Sequence, residues 1–257
     1  MAATRALPAG SDRNADALAM IRTVAPSSEL DGAARHLERL CTAATEGLGL
    51  LGAAVRLLQP GGTAGVTVAA RETPAGLVDI EFDVGEGPGE KCYAQSRPVL
   101  VSDLAGRDGT EWPGFQHAAV EQGVAAVFAF PLHLGAVSLG TLELFSPQTG
   151  PLTSEEVSLA RAFAEIGVVV VLDGHLTDSD GGLSPGFERA FEHRADIAQA
   201  QGMVMVDLGV SLVEAISRLR AHAFATGDSL SDLARKVIEG YALPADDGRS
   251  DDLDPIR

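Results

Sequence analysis

Apolar positions along the chain follow two periods. Residues 29 to 47 place Leu30, Ala33, Ala34, Leu37, Leu40 and Cys41 at helical spacing, and Gly47 and Gly49 then interrupt the pattern, which predicts an amphipathic helix. Five short β-like runs follow at 50–58, 65–71, 97–103, 124–134 and 138–146. QPGG at 59–62 turns between the first two, and LGAVS at 134–138 is a tight connection between the last two. Residues 154 to 172 return to helical spacing, with Thr153 and Glu156 as a capping box. Their apolar residues form two faces: Val157, Ala160, Ala164, Gly167 and Val171, and Leu159, Phe163, Ile166 and Val170. One face covers the sheet. The other is expected to pair with the same helix of a second subunit in a short heptad-spaced seam, unless one subunit buries both. Helix, several strands and helix predict an α+β domain on an antiparallel sheet flanked by helices.

A second region has only the helical period. Ile197, Ala200, Val204 and Leu208 lie on one face up to Gly209; Leu212, Ala215, Ile216, Leu219 and Ala223 form a stripe up to Gly227; Leu230, Leu233, Ala234, Val237 and Ile238 form a third up to Gly240. Ser211 with Glu214 and Ser229 with Asp232 supply the starts. Small residues on these faces, among them Ala200, Gly202 and Ala234, allow close helix approach in a compact all-α three-helix bundle. The expected organisation is a flexible stretch at 1–14, a larger domain at 15–176, a Gly/Pro/Ser/Asp linker at 177–186, the bundle at 187–243, and a disordered acidic tail at 244–257.

Charge changes the picture by its distribution. The net charge is −17, yet residues 187–240 hold six basic and eight acidic side chains, a balance of only −2. Whole-molecule attraction to phosphate is therefore excluded, while local contact is not. Cys41 and Cys92 are the only cysteines, too few for a disulfide framework and without zinc-ligand spacing. The longest uncharged apolar run, 166–172, is too short for a membrane span, and the amino terminus lacks a secretory core, so a cytoplasmic location and no membrane partner are expected.

Residues 84–146 carry an ordered set of short motifs: EGPG at 86–89, RPV at 97–99, SDL at 102–104, WPGF at 112–115, GV at 123–124, FPL at 130–132 and LGTLEL at 139–144. In this order and spacing they resemble the GAF family of sensor domains. Gly85, Gly87 and Gly89 with Pro88 suit a bent loop that opens a helix. The resemblance implies a cavity between sheet and loops for a small-molecule ligand, its identity unspecified, with Glu86, Cys92, Trp112, Phe115 and Phe130 as candidate lining residues. Trp112, Phe115 and Phe130 equally suit a plain core. No cyclic-nucleotide signature and no bilin-attaching Cys-His pair is visible; His36, His117 and His133 stand isolated, without support for haem. Some GAF-fold proteins reduce methionine sulfoxide through cysteines, which makes Cys92 the site of one enzymatic alternative.

RADIAQAQGMVM at 194–205, VEAISRLRAHA at 213–223 and LSDLARKVI at 230–238 resemble the ANTAR family, RNA-binding antitermination modules of bacterial regulators. Gln201 stands where the family usually has Lys, and His222 where an aromatic residue, commonly Tyr, is frequent. The resemblance implies a non-enzymatic regulator that binds paired hairpins in mRNA leaders, is expected to act as a homodimer, and contacts RNA through Arg194, Gln201, Arg218, Arg220, His222, Arg235 and Lys236. Hairpin loops are held by phosphate contacts and stacked bases, so this reading needs these side chains outward rather than consumed in internal ion pairs. The alternative output is a protein-binding or dimerisation module.

Overall fold

The computed structural model describes residues 12–25, 32–58, 66–70, 73, 79–135, 137–176 and 185–244, with the side chains of 107–108, 173–195 and 198 outside that description. The chain divides into two compact units, residues 1–194 and 195–257. The expected linker at 177–186 falls largely outside the described residues.

In the first unit, β1 (Gly52–Leu57), β2 (Val66–Ala69), β3 (Val99–Val101), β4 (Ala126–Leu134) and β5 (Val137–Ser146) form an antiparallel sheet in the order β2-β1-β5-β4-β3. Side-chain alternation gives the sheet two different faces. Ala53 and Val55 of β1, Phe128, Phe130 and Leu132 of β4, and Leu142 and Leu144 of β5 enter one core with α2 (Gly32–Leu48) and α6 (Ser154–Leu176). Ala54, Val101, Val127 and Phe145 point the other way and pack with Trp112, Phe115 and Ala119. That opposite side holds α3 (Ile80–Val84), α4 (Pro88–Gln95), a 3-10 turn at Arg107–Glu111 and α5 (Pro113–Glu121).

α6 begins as its capping box requires: the Thr153 amide donates to Glu156 Oε2 at 2.7 Å and the Glu156 amide donates to Thr153 Oγ1 at 3.2 Å. Both apolar faces of α6 are used within the chain, with Ala160, Ala164 and Val171 of the first buried in the sheet-side core. Leu159 and Phe163 are buried in the sheet-side core, with Ile166 and Val170 packed against it. At the start of the larger domain, α1 (Arg13–Thr23) packs on α6 and α2, burying Ala17 and seating Met20 and Ile21 on the same core. Asp12 caps α1, and Asn14 Nδ2 donates to Glu165 of α6 at 3.2 Å.

The second unit contains the end of α7 (Pro185–Leu208), then α8 (Leu212–Thr226) and α9 (Leu230–Ile238), with Ser211 and Ser229 as N-caps. Gly209 and Gly227 stand at φ 64° and 73°, the left-handed region that stops a helix. Most of the expected stripe residues are buried: Ile197, Ala200 and Val204; Ala215, Leu219 and Ala223; Leu230, Leu233, Ala234 and Val237; Leu208, Ile216 and Ile238 are half-buried, and Leu212, at the first turn of α8, is exposed instead.

Gly140 sits where β5 crosses β1. A methyl there would run into the Arg56 carbonyl and lie 2.9 Å from Leu57 Cα. Gly140→Ala is therefore expected to destabilise the first unit by about 1–3 kcal/mol, read as a lower denaturant midpoint; an unchanged midpoint would contradict this packing.

Candidate functional site

On the sheet face turned toward α3 and α4, strand alternation places Arg56 of β1 and Glu143 of β5 side by side. Arg56 is 1% exposed. Its guanidinium bonds Glu81 of α3, reaches Glu143 at 3.0 Å and Glu90 of α4 at 3.2 Å, and thereby ties two strands to two helices. Glu81 also accepts from the amides of Gly89 at 2.8 Å and Glu90 at 3.0 Å, so its carboxylate sits on the amino terminus of α4. The bent loop makes this possible: a Cβ on Gly89 would approach Arg56 Nη2 and Glu81 Oε2 to 2.6 Å and collide with Glu143. Thr141 completes the cluster by donating to Glu143 at 2.9 Å.

Three carboxylates face one guanidinium in a dry site. Burial works against the Arg56 charge, but Glu143, Glu81 and Glu90 outweigh it and hold the guanidinium more firmly charged. For Glu81, burial first and the Glu143 charge second push the carboxyl up to about 8, against the opposing pull of Arg56. Cys92, buried beside this cluster on α4, is raised to about 12 by burial and then by Glu143 and Glu81. Cys41 lies in the α2 core and is likewise raised to about 12, chiefly by burial.

The five residues expected to line a cavity are divided by the sheet. Cys92, Trp112 and Phe115 are buried on the α4–α5 side, where Glu86 accepts from the Gly114 amide at 2.7 Å and joins the loop to α5. Phe130 lies on the other side, at the base of a groove of about 460 Å³ between α6 and the end of β4, edged by Leu134, Arg161, Glu165 and Val169. Lys91 holds Glu111 at 2.6 Å and lies 5.3 Å from the Trp112 ring centre. His117 pairs with Glu121 on the surface, and no group of three or more metal-ligating side chains occurs among the described residues.

In the second unit the basic residues are spread around the helices. Arg218 bonds Glu214 at 2.8 Å, Arg235 bonds Asp232 at 2.7 Å and Lys236 bonds Asp228 at 2.8 Å. The Lys236 hydrogen bond lowers Asp228, and Asp228 in turn raises Lys236. His222 Nε2 lies 2.9 Å from the hydroxyl of Tyr241, with the rings 5.6 Å apart. Arg220, two positions from both Arg218 and His222, falls about 200° around α8 from each. The structure thus groups Arg218, His222 and Lys236 toward one side and sets Arg220 on the opposite one. Gln201 is buried, and its amide donates to Leu212 O at 2.8 Å, holding α7 to the start of α8 instead of facing outward. The Arg194 side chain lies outside the described residues.

The model of the GAF domain matches residues 34–171, more than half of the chain. The chain belongs to the GAF domain family. The model of the ANTAR domain matches residues 186–238. Solved structures similar to the chain include the GAF domain of an Acinetobacter phosphoenolpyruvate-protein phosphotransferase, at 10% identity over 64% of this chain and 94% of that one, TM-score 0.46. They also include a GAF domain/HD domain protein from Geobacter sulfurreducens, at 13% over 58% and 99%, TM-score 0.46. A third is a type II free methionine-R-sulfoxide reductase from Thermoplasma acidophilum, at 12% over 55% and 93%, TM-score 0.41. Comparison with curated protein sequences gives no match.

Sequence reasoning missed the Arg56–Glu81–Glu143 cluster of the GAF domain and the His222–Tyr241 pair. The signal for the first was a lone charge in the apolar run LLGAAVRLL, matched by Glu143 in LGTLEL. Tyr241 lies beyond the residues the ANTAR model matches, and no periodicity reaches it.

Two outcomes test the cluster. Arg56→Met strands buried carboxylates and is expected to destabilise the GAF domain by about 3–5 kcal/mol in chemical denaturation, against little change if the charges were solvated. Glu81 is raised above the ordinary carboxyl value of 4.5, so its favourable contribution is complete below about 4.5 and is lost as pH rises through about 8. The denaturant midpoint of the wild type should therefore fall relative to Glu81→Gln between pH 5 and 8.5; parallel pH profiles would refute the buried proton.

Proposed function

We infer that the protein is a signal-responsive RNA-binding regulator: its ANTAR domain binds hairpins in nascent mRNA leaders and lets polymerase read through a terminator, under control of the GAF domain. The observation that carries this reading is the succession of the two domains in one chain, matched over residues 34–171 and 186–238. Arginine and lysine side chains on the outer surfaces of α8 and α9 support it. Arg218, Arg235 and Lys236 are engaged with carboxylates, but those pairs lie on the surface, the first two between residues three or four apart on one helix and the third between α9 and Asp228 just before it. Such pairs hold their partners weakly, and a phosphate can replace the carboxylate. Gln201 drops out of the contact set, since its amide is committed inside the bundle.

Paired hairpins call for two ANTAR domains, so the acting form is proposed to be a homodimer. Its seam lies elsewhere than the α6 residues Leu159 and Phe163, which the chain buries by itself. A sulfoxide-reducing role for Cys92 is disfavoured on chemical grounds, because a buried thiol raised to about 12 supplies almost no thiolate near neutral pH.

The test is transcript capture from cells carrying the intact protein or Arg220→Ala, followed by binding of the recovered leader at several salt concentrations. Two-hairpin leaders are expected with the intact protein only. Affinity should fall with salt at a log–log slope of about −0.7 per phosphate contact, and Lys236→Ala should flatten the slope by about one such contact. Capture of no transcript, or binding indifferent to salt, would overturn the reading.

A further inference from the structure

We propose that the open groove between α6 and β4 is the surface on which the GAF domain pairs with a second copy of the chain, the two α6 helices running antiparallel; this names the seam of the homodimer proposed above. Of the six large apolar side chains exposed among the described residues of the first unit, four surround this groove. Leu134 and Val169, each 55% exposed, stand on its two walls above Phe130. Val137 is the cross-strand partner of Leu134. Leu100 of β3 lies opposite Phe128, and so on the face of the sheet that Phe130 also occupies. Exposed apolar side chains gathered in one place mark a contact surface, whereas single scattered ones do not.

The charges on the rim select the partner. Arg161 and Glu165 stand one turn apart on the α6 side of the groove, and both are exposed. Among the described residues Arg161 has no carboxylate partner, and Glu165 receives the neutral amide of Asn14, which leaves its charge unmatched. The two do not join each other; an arginine four residues before a glutamate is the weaker order for a pair within one helix. A surface that carries one cation and one anion along a helix fits its own image turned about a two-fold axis. An antiparallel α6 across an axis near residue 163 sets Arg161 of each copy beside Glu165 of the other, whereas a parallel helix in register sets like charges together. A small anion or a nucleic acid drawn to Arg161 would meet Glu165 in the same groove. The face also has breadth, because α6, the edge strand β3 and the β4–β5 hairpin all border it, and a stable interface buries roughly 800 Å² per partner. Leu159 and Phe163 stay in their own core, so this seam is not the heptad-spaced one expected from the sequence.

The experiment uses the full chain without RNA. Sedimentation over a range of concentrations gives the dimer dissociation constant for the wild type, Arg161→Glu, Glu165→Arg, the double swap Arg161→Glu/Glu165→Arg, and Val169→Glu, while circular dichroism reports the fold. All three positions are exposed on a helix, so the substitutions should leave folding intact. The wild type is expected to dimerise. Each single reversal should raise the dissociation constant at least roughly tenfold, because like charges then meet twice across the axis, and the double swap should recover most of that loss. Val169→Glu should weaken the dimer as well. A dimer indifferent to both reversals places the seam elsewhere and overturns the proposal, as does a double swap that associates no better than the single variants. A wild type that is monomeric throughout overturns it together with the homodimer, and leaves RNA binding, read by transcript capture, standing. Native mass spectrometry covers the other occupant: a small molecule retained by the wild type and lost from Val169→Glu, with dimerisation unchanged, also overturns it.

Discussion

A single guanidinium governs the side of the GAF domain's sheet turned toward α3 and α4. Arg56 projects from the central sheet into the protein interior and must find its counter-charges there, because an arginine cannot shed its proton. Glu143 comes from the neighbouring strand, while Glu81 and Glu90 come from two helices that reach the sheet only through the glycine-rich loop. The cluster thus fixes where α3 and α4 sit, and α4 in turn fixes Cys92. Three carboxylates beside one guanidinium leave excess negative charge, and burial together with the Glu143 charge pushes the Glu81 carboxyl up to about 8 against the pull of Arg56. Removal of two charges from water costs nearly as much as their attraction returns, so the arrangement specifies geometry more than it adds stability.

What the sequence revealed and what it withheld follow from the range of the interactions. The two helices flanking the sheet, the β4–β5 hairpin and the caps at Thr153, Ser211 and Ser229 are set by neighbours within a few residues, and all are found. The short α3 and α5 carry no usable period. α1 is a helix because a surface awaits it: RNADALAMIRT has a weak apolar stripe, yet Ala17, Met20 and Ile21 pack on the core formed with α2 and α6. Arg56 and Glu143 are 87 positions apart, so their pairing depends on the β1–β5 register, which a list of residues does not supply.

The same distinction explains the candidate sites. Phe130 was grouped with Trp112 and Phe115 as a fellow aromatic, but it is on the helix-covered parity of β4, whereas Val127 is on the other. One step along a strand decides which side of a sheet a ring enters. In the ANTAR domain, Gln201 was chosen for standing in the place of a usual lysine. Its burial makes sense of that departure: an uncharged amide can reach Leu212 O inside the bundle without bringing a charge with it. Val169 of α6 escaped notice because helical stripes were traced through their buried members, and an apolar side chain off the stripe registers only when its exposure is known.

A chain of net charge −17 that binds RNA needs an attraction that works at short range. At physiological ionic strength charges are screened beyond about 8 Å, so acidic groups remote from the contact surface oppose binding only weakly. Within that distance, α8 and α9 offer Arg218, Arg235 and Lys236 in exposed pairs that a phosphate can enter. Stacking requires no net charge and survives screening. For an acidic protein that binds RNA as proposed above, specificity would come from unpaired bases, since duplex phosphate alone attracts it little.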